Sequence, residues 1–260
     1  MLSAGGIWYD WAGPDNGRPL VLSSGLGGSA SYWEPNLAAL TADHRVLLYD
    51  HRGTGRSDRA LPEQVSIAGM ASDVLGLLGE LGLDPREVDF IGHAIGGLIG
   101  LDIAFRTGLR RLVVVNGWDE IDPHTLRCFE ARLALLRNSG AEAFVRAQPI
   151  FLFPANWITA HEDLLAEQER GHLSHFPGAA NVEKRIAAAQ AFRLPAGSPS
   201  ARILALAAED DILVPSRRSE VLADRLGGAA ELNVIDRGGH ACNVTNPETF
   251  NRIVTDFLGS

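Results

Sequence analysis

Short apolar runs alternate along the chain with longer segments in which apolar residues recur every three or four positions. The runs Leu20–Leu22, Arg45–Tyr49, Val88–Ile91, Leu109–Val115, Arg202–Leu206 and Glu231–Ile235 have the length of buried strands. Ile7–Trp11 alternates weakly and predicts an edge strand, and Asp15-Asn16-Gly17 after it predicts a turn. Helical periodicity covers Trp33–Leu40, Ser66–Leu81 through Ile67, Met70, Val74, Leu77 and Leu78, the segment after Gly96, Ser216–Leu226 and Pro247–Leu258. From Asp119 to Pro199 no strand pattern occurs. Helical stretches over 125–138, 141–148, 156–170 and 182–192 fill that interval, punctuated by Pro149, Pro154, Pro177 and Pro195. Strands alternating with helices, interrupted once by a helical block, predict an α/β fold: a mostly parallel central sheet with helices on both faces and a helical cap. Residues 1–118 and 200–260 form the expected core, and 119–199 the expected cap insertion.

Composition narrows the partners. At 260 residues with 46% hydrophobic and 21% charged positions, the chain can bury one large core. A formal charge of −9 argues against nucleic acid or an anionic membrane and leaves a small molecule as the expected partner. Two cysteines, Cys128 and Cys242, make no disulfide framework and fit a reducing cytoplasm. Met1-Leu2-Ser3-Ala4-Gly5-Gly6 lacks the basic and apolar regions of a signal peptide. A cytoplasmic monomer or homodimer is the expectation.

Ligands of open parallel sheets bind at the carboxyl ends of the strands, and four strand ends carry unusual residues. Gly92-His93-Ala94-Ile95-Gly96 turns a strand into a helix, with glycines two positions either side of the centre. That is the framing of a nucleophile elbow, in which flanking Cβ atoms would clash where strand and helix pass closely. The central residue is Ala94, so the frame is present and the nucleophile is not. Ser24-Gly25-Leu26-Gly27-Gly28 can cradle an oxyanion, with the N–H of Leu26 as one donor and that of Ile95 as the other. A dinucleotide fingerprint (Gly25-x-Gly27-x-x-Ala30) is the rival reading, which the bulk of Tyr32-Trp33 disfavours. In Glu209-Asp210-Asp211 the last residue lies four before Pro215, which makes Asp211 the preferred acid over Asp210. Gly238-Gly239-His240 closes the last strand with a candidate base. The order elbow, acid, histidine matches the chain order of a hydrolytic triad. His161-Glu162, His172 and His175 do not form a His-Glu-x-x-His pattern, so neither metal nor other cofactor is expected. Cys242, two residues past the base, is read as buried and inert, and His93 as a packing residue.

Taken together these residues resemble the α/β-hydrolase superfamily along the whole chain. Gly25-Leu26-Gly27-Gly28-Ser29-x-Ser31-Tyr32-Trp33, Tyr49-Asp50-x-Arg52-Gly53-Thr54-Gly55, Val115-Asn116-Gly117-Trp118, His124-Thr125-x-Arg127-Cys128-Phe129 and Gly239-His240-Ala241-Cys242-Asn243-Val244-Thr245 narrow the resemblance to the RutD family of bacterial pyrimidine utilisation. Sequences of that family can carry alanine at the elbow. Ser24 departs from the wider superfamily, where histidine often precedes the oxyanion glycine. The resemblance implies an α/β-hydrolase fold and a role in uracil breakdown, as a hydrolase of carbamate or of 3-aminoacrylate.

Alanine cannot form an acyl-enzyme, which excludes ping-pong ester or amide hydrolysis. His240 oriented by Asp211 can still activate water. Oxyanion hole and binding alone keep roughly 10³–10⁴-fold catalysis in hydrolases stripped of their triad, enough for a substrate that decays readily. Both implied substrates are anions, so the pocket needs a cation. Arg127, Arg132 and Arg185 in the cap are the sources, with Arg127 ranked first for its place in a family-like motif. Trp33 and Trp118 are expected in the apolar wall. A metabolite-binding pseudoenzyme and a nucleophile-free lyase or carbon–carbon hydrolase are the alternative functions, and release of ammonia distinguishes them.

Overall fold

The computed structural model describes residues 3–260. The first two positions of the N-terminal stretch read for a signal lie outside the described residues. Eight strands form one sheet: β1 (Ser3–Ala4), β2 (Ile7–Ala12), β3 (Arg18–Ser23), β4 (His44–Tyr49), β5 (Asp89–His93), β6 (Arg111–Val115), β7 (Arg202–Ala208) and β8 (Ala230–Ile235). Their spatial order is β1-β2-β4-β3-β5-β6-β7-β8. The contacts of β2 with β1 and β4 are antiparallel, and the rest of the sheet is parallel. The expected edge strand over Ile7–Trp11 is therefore not the edge, because the two-residue β1 pairs outside it. So short a strand carries almost no periodicity for a sequence reading to detect.

The helices are α1 (Glu34–Leu40), α2 (Ile67–Glu80), α3 (Ile95–Arg106), α4 (Pro123–Leu152), α5 (Ala155–Ala160), α6 (Glu162–Ser174), α7 (Ala179–Ala191), α8 (Arg217–Leu226), α9 (Cys242–Thr245) and α10 (Pro247–Gly259). Consecutive strand residues point to opposite faces. Val21, Leu47, Phe90, Leu112 and Val114 join a core with α2 and α3. Leu20, Leu22, Ile91, Val113 and Val115 join another with Trp33 and α10 residues Phe250 and Val254. Burial on both faces is why these strands read as unbroken apolar runs rather than alternating ones.

Helices α4–α7 lie between β6 and β7. The chain leaves and rejoins the core at a single bridge between Glu120 and Arg193, tightened by the Leu194 N–H donating to the Asp119 carbonyl at 2.7 Å. Asp122 caps α4 by accepting from the Thr125 N–H at 2.7 Å. Gly140, at φ 84° and ψ −176°, breaks α4 internally. In a straight helix Arg132 and Gln148 would lie about 24 Å apart, yet their side chains are hydrogen-bonded. The two halves therefore fold back on each other as a hairpin, matching the two separate stretches read over 125–138 and 141–148. The stretch read over 156–170 is likewise two helices, parted at His161, whose φ of −126° is not helical.

Three sets of contacts clasp this helical segment to the core. His124 Nε2 binds the Ile212 carbonyl at 2.7 Å. The Leu152 carbonyl accepts from the Ala241 N–H at 3.0 Å. Asn181 and Lys184 of α7 donate to the carbonyls of Gly53 and Pro62 at 3.1 and 2.8 Å. Among the described residues no helix is long and apolar enough to cross a membrane.

Candidate active site

The elbow is built by backbone contact. Ala94 stands between β5 and α3 at φ 47° and ψ −113°, a region that residues with a Cβ rarely enter. Its N–H donates to the Val115 carbonyl at 2.8 Å, and its carbonyl accepts from the Leu98 N–H at 3.1 Å. A Cβ on Gly92 would run into the Gly96 carbonyl, and one on Gly96 into the Ser23 carbonyl. The two glycines are therefore the condition for β3, β5 and α3 to approach as they do. The strained geometry that presents a nucleophile persists around a methyl group.

His240 and Asp211 meet across the ends of β7 and β8. Asp211 Oδ2 lies 2.7 Å from His240 Nδ1, and its other oxygen accepts from the N–H groups of Leu213 and Val214 at 2.8 and 2.9 Å. Both residues are buried, at 3% exposure for His240 and 4% for Asp211. Asp210 holds the turn that carries the histidine, its Oδ1 accepting from the N–H groups of Gly238 and Gly239 at 2.8 and 2.7 Å. The His240 carbonyl receives a further bond from Asn116 Nδ2 at 2.7 Å. His93 Nε2 also reaches it, at 2.8 Å. Burial, then the neighbouring His240, keep the His93 pKa well below the ordinary histidine range. The ring is thus neutral, and Nε2–H is the donor to that carbonyl. Read from the sequence as a packing residue, His93 fastens the loop of the base to the elbow. Asn116 is, with Ala94, one of two non-glycine residues at positive φ among those described.

The Gly25–Gly28 turn closes through the Gly28 N–H donating to the Gly25 carbonyl at 3.1 Å. The loop after β4 supports it. The Gly28 carbonyl accepts from the His51 N–H at 2.8 Å and from the Thr54 hydroxyl at 3.2 Å, while Asp50 Oδ1 accepts from the Ala30 N–H at 2.8 Å. Asp50 is held in turn by Arg56 Nε at 2.7 Å. The Asp50–Gly55 motif is thus the buttress of the turn that carries Leu26. Ile95 is the first residue of α3, so its N–H has no intrahelical acceptor and stands beside Ala94.

The sequence profile described as "Alpha/beta hydrolase family" matches residues 20–253. The chain belongs to the alpha/beta hydrolase family. Relatives place it more narrowly, among the RutD proteins. It is 49% identical to a protein of Rhizobium rhizogenes (strain K84) named "Putative carbamate hydrolase RutD", over 93% of this chain and 92% of that one. A protein of the same name from Pseudomonas savastanoi pv. phaseolicola is 49% identical over 93% of each. Among solved structures, the enol-lactonase from Burkholderia xenovorans LB400 superposes with a TM-score of 0.83 at 26% identity, covering 99% of this chain and 98% of that one.

The cations of this hydrolase are arranged differently from the sequence expectation. Arg127 is exposed on α4, so the residue ranked first points to solvent. Arg132 and Arg185 are the buried ones, at 2% and 1% exposure. Arg132 lies between the halves of the α4 hairpin, bonded to Gln148 and 5.6 Å from the rings of Phe129, Phe144 and Phe151. No carboxylate pairs with it among the described residues, and its Nε is buried without a partner. Burial pulls its pKa down to about 10. The fault in ranking was one of helix phase: 127 and 132 are five positions apart, about 140° around the axis, and only the hairpin decides which side is inside.

Trp33 and Trp118, expected to wall the pocket, expose 0% and 1% and belong to the packed cores. Trp33 lies against Phe250 on the other face of the sheet. Trp118 keeps one polar feature, a buried Nε1–H with no acceptor among the described residues, as does Trp33. Burial pushes the Cys242 thiol up to about 12, which makes it a poor nucleophile. A cavity of about 130 Å³ lies beside the site, lined by Tyr49, His51, Arg52, Met70, Ile99 and Arg185 but not by Ala94 or His240.

Proposed function

We propose that this RutD-family hydrolase breaks a carbon–nitrogen bond in a small, labile anion of pyrimidine catabolism, carbamate or 3-aminoacrylate, by activating water with His240. The observation that carries this reading is a histidine still seated on its acid, Asp211 to His240 at 2.7 Å, on a loop bonded to His93 of an elbow that holds alanine. A pure binding protein need not keep that pair.

With Asp211 on Nδ1, the Nε2 of His240 is the nitrogen that takes a proton from water. For carbamate, the water oxygen bonds to the carboxyl carbon and negative charge develops on oxygen against the N–H groups of Leu26 and Ile95. His240 then delivers the proton to nitrogen, the carbon–nitrogen bond breaks, and ammonia and bicarbonate leave. For 3-aminoacrylate the proton goes to C2, water adds at C3, and ammonia leaves with 3-oxopropanoate. Arg132, buried and without an anionic partner, takes over from Arg127 as the cation for the substrate carboxylate. A buried guanidinium is costly until a carboxylate joins it.

Ammonia release from freshly generated carbamate and 3-aminoacrylate, with and without the protein, tests the reading. His240→Ala should slow the catalysed part by roughly 10²–10⁴-fold. The fold should survive, since the bonds from His93 and Asn116 are to the His240 backbone carbonyl. Undiminished turnover in a folded variant excludes general-base catalysis by His240.

A further inference from the structure

Arg185 comes from α7, within the helical segment, yet its guanidinium binds the core. Nη2 donates to the Gly25 carbonyl at 3.2 Å and lies 2.8 Å from His51 Nδ1, and Nη1 lies 3.5 Å from the Arg52 carbonyl. The acceptors are all neutral. Burial, then the charge of Arg185, hold the His51 pKa well below its ordinary value, so Nδ1 is a lone pair that accepts from Arg185. Its Nε2–H is left to donate to Ser23 Oγ at 3.2 Å, which sits 2.6 Å from the Tyr49 hydroxyl. A buried polar chain thus runs from α7 to the ends of β3 and β4.

The Gly25 carbonyl belongs to the same peptide unit as the Leu26 N–H. In a trans peptide the two bonds point in opposite directions within one plane. A group that grips the oxygen therefore sets where the N–H points. A cationic donor on the oxygen also draws electron density from the amide and makes the N–H a stronger donor. The packing leaves little slack: a Cβ on Gly28 would lie 2.8 Å from Arg185 Nη1. We propose that Arg185 is a positioning residue that orients and polarises the Gly25–Leu26 peptide, so that the helical segment supplies part of the oxyanion hole without touching substrate. The inference rests on the hydrolytic reading above.

The experiment uses a reaction that does not depend on the natural substrate: phosphonylation of the Ala94→Ser protein by a fluorophosphonate, whose developing oxyanion needs the same donors. Arg185→Met in that background should slow labelling by roughly 10–100-fold, a part of the 10²–10³-fold that loss of a whole donor costs. Arg185→Lys, which retains a donor for the Gly25 carbonyl, should recover much of the rate. In otherwise native protein, Arg185→Met should lower kcat for ammonia release with little change in KM, and should shift the Leu26 amide nitrogen resonance. Equal labelling by the Met, Lys and parent proteins overturns the proposal while leaving the site reading intact. Absence of labelling in Ala94→Ser itself overturns both. Should Arg185→Met not fold, the Lys variant decides: a Leu26 resonance and a labelling rate both identical to the parent's overturn the proposal.

Discussion

Replacing Arg132 with methionine should make the protein more stable and a weaker binder of its substrate. The guanidinium is 2% exposed and unpaired with any carboxylate among the described residues, and burial draws its pKa down from the ordinary arginine value to about 10. At 1.36 kcal/mol per pKa unit, holding the charge there costs about 3 kcal/mol. Against this stand the hydrogen bond to Gln148, about 1 kcal/mol net, and the contacts with three phenylalanine rings, about 1 kcal/mol in sum. Methionine preserves the unbranched stem and packs well among rings. The net gain is about 1 kcal/mol, a rise in Tm of roughly 2–4 °C for a chain of this size. Losing a charge-assisted bond to the substrate carboxylate should cost about 1.5–3 kcal/mol, which is a KM about 10–100-fold higher. Thermal melts give the first quantity. The second comes from ammonia-release kinetics and from titration with acrylate, a carboxylate that releases no ammonia. A lowered Tm with unchanged KM and unchanged acrylate binding would show Arg132 to be structural and refute the reasoning.

Two further outcomes are expected. Ala94→Ser should become covalently labelled by a fluorophosphonate at the new serine while the native protein is not, because the elbow geometry persists; on the labile anions it should gain little, since the hydroxyl displaces the reacting water, and mass spectrometry locates the adduct. Stability should fall as pH drops below about 6.5, because burial holds His51 and His93 neutral in the fold with pKa values below those of the unfolded chain. Their contribution is complete above the unfolded pKa and is lost as pH falls, at up to about 1.4 kcal/mol per pH unit for each histidine. Urea titrations of His51→Gln between pH 7 and 5 should show a shallower slope, and an unaltered slope would contradict the buried neutral ring.

The strand ends were legible because their chemistry is local. Gly92 is dictated by a backbone contact within its own turn, the Gly-x-x-x-Gly spacing shows in the chain even though Gly96 answers to Ser23 on another strand, and the order of Ala94, Asp211 and His240 is a property of the chain itself. What escaped was set by packing between distant segments. Arg127, Arg132 and Arg185 are equivalent as residue types, and only the reversal at Gly140 and the docking of α7 separate an exposed side chain from two buried ones. Trp33 and Trp118 follow strand ends near the site in sequence, but the sheet's two faces carry them into opposite cores. His93 looked inert because its partner is a backbone carbonyl 147 positions away, which leaves no trace in composition or periodicity. The paired strand β1 was missed for lack of length alone.

The closed neck of the helical segment bears on how such a protein can diversify. Asp119 and Leu194 are joined by a hydrogen bond, with Glu120 and Arg193 bridged beside them, so the span between behaves as a loop whose ends are already fixed. Doubling the length of such a loop adds only about 0.6 kcal/mol of closure entropy. Closure entropy therefore sets almost no limit on the length of the segment above the neck; the limit lies in the core that Phe129, Leu133, Val182 and Ile186 share with the sheet. Length can thus vary between the fixed ends of the segment, whereas the elbow and its flanking glycines admit no such freedom.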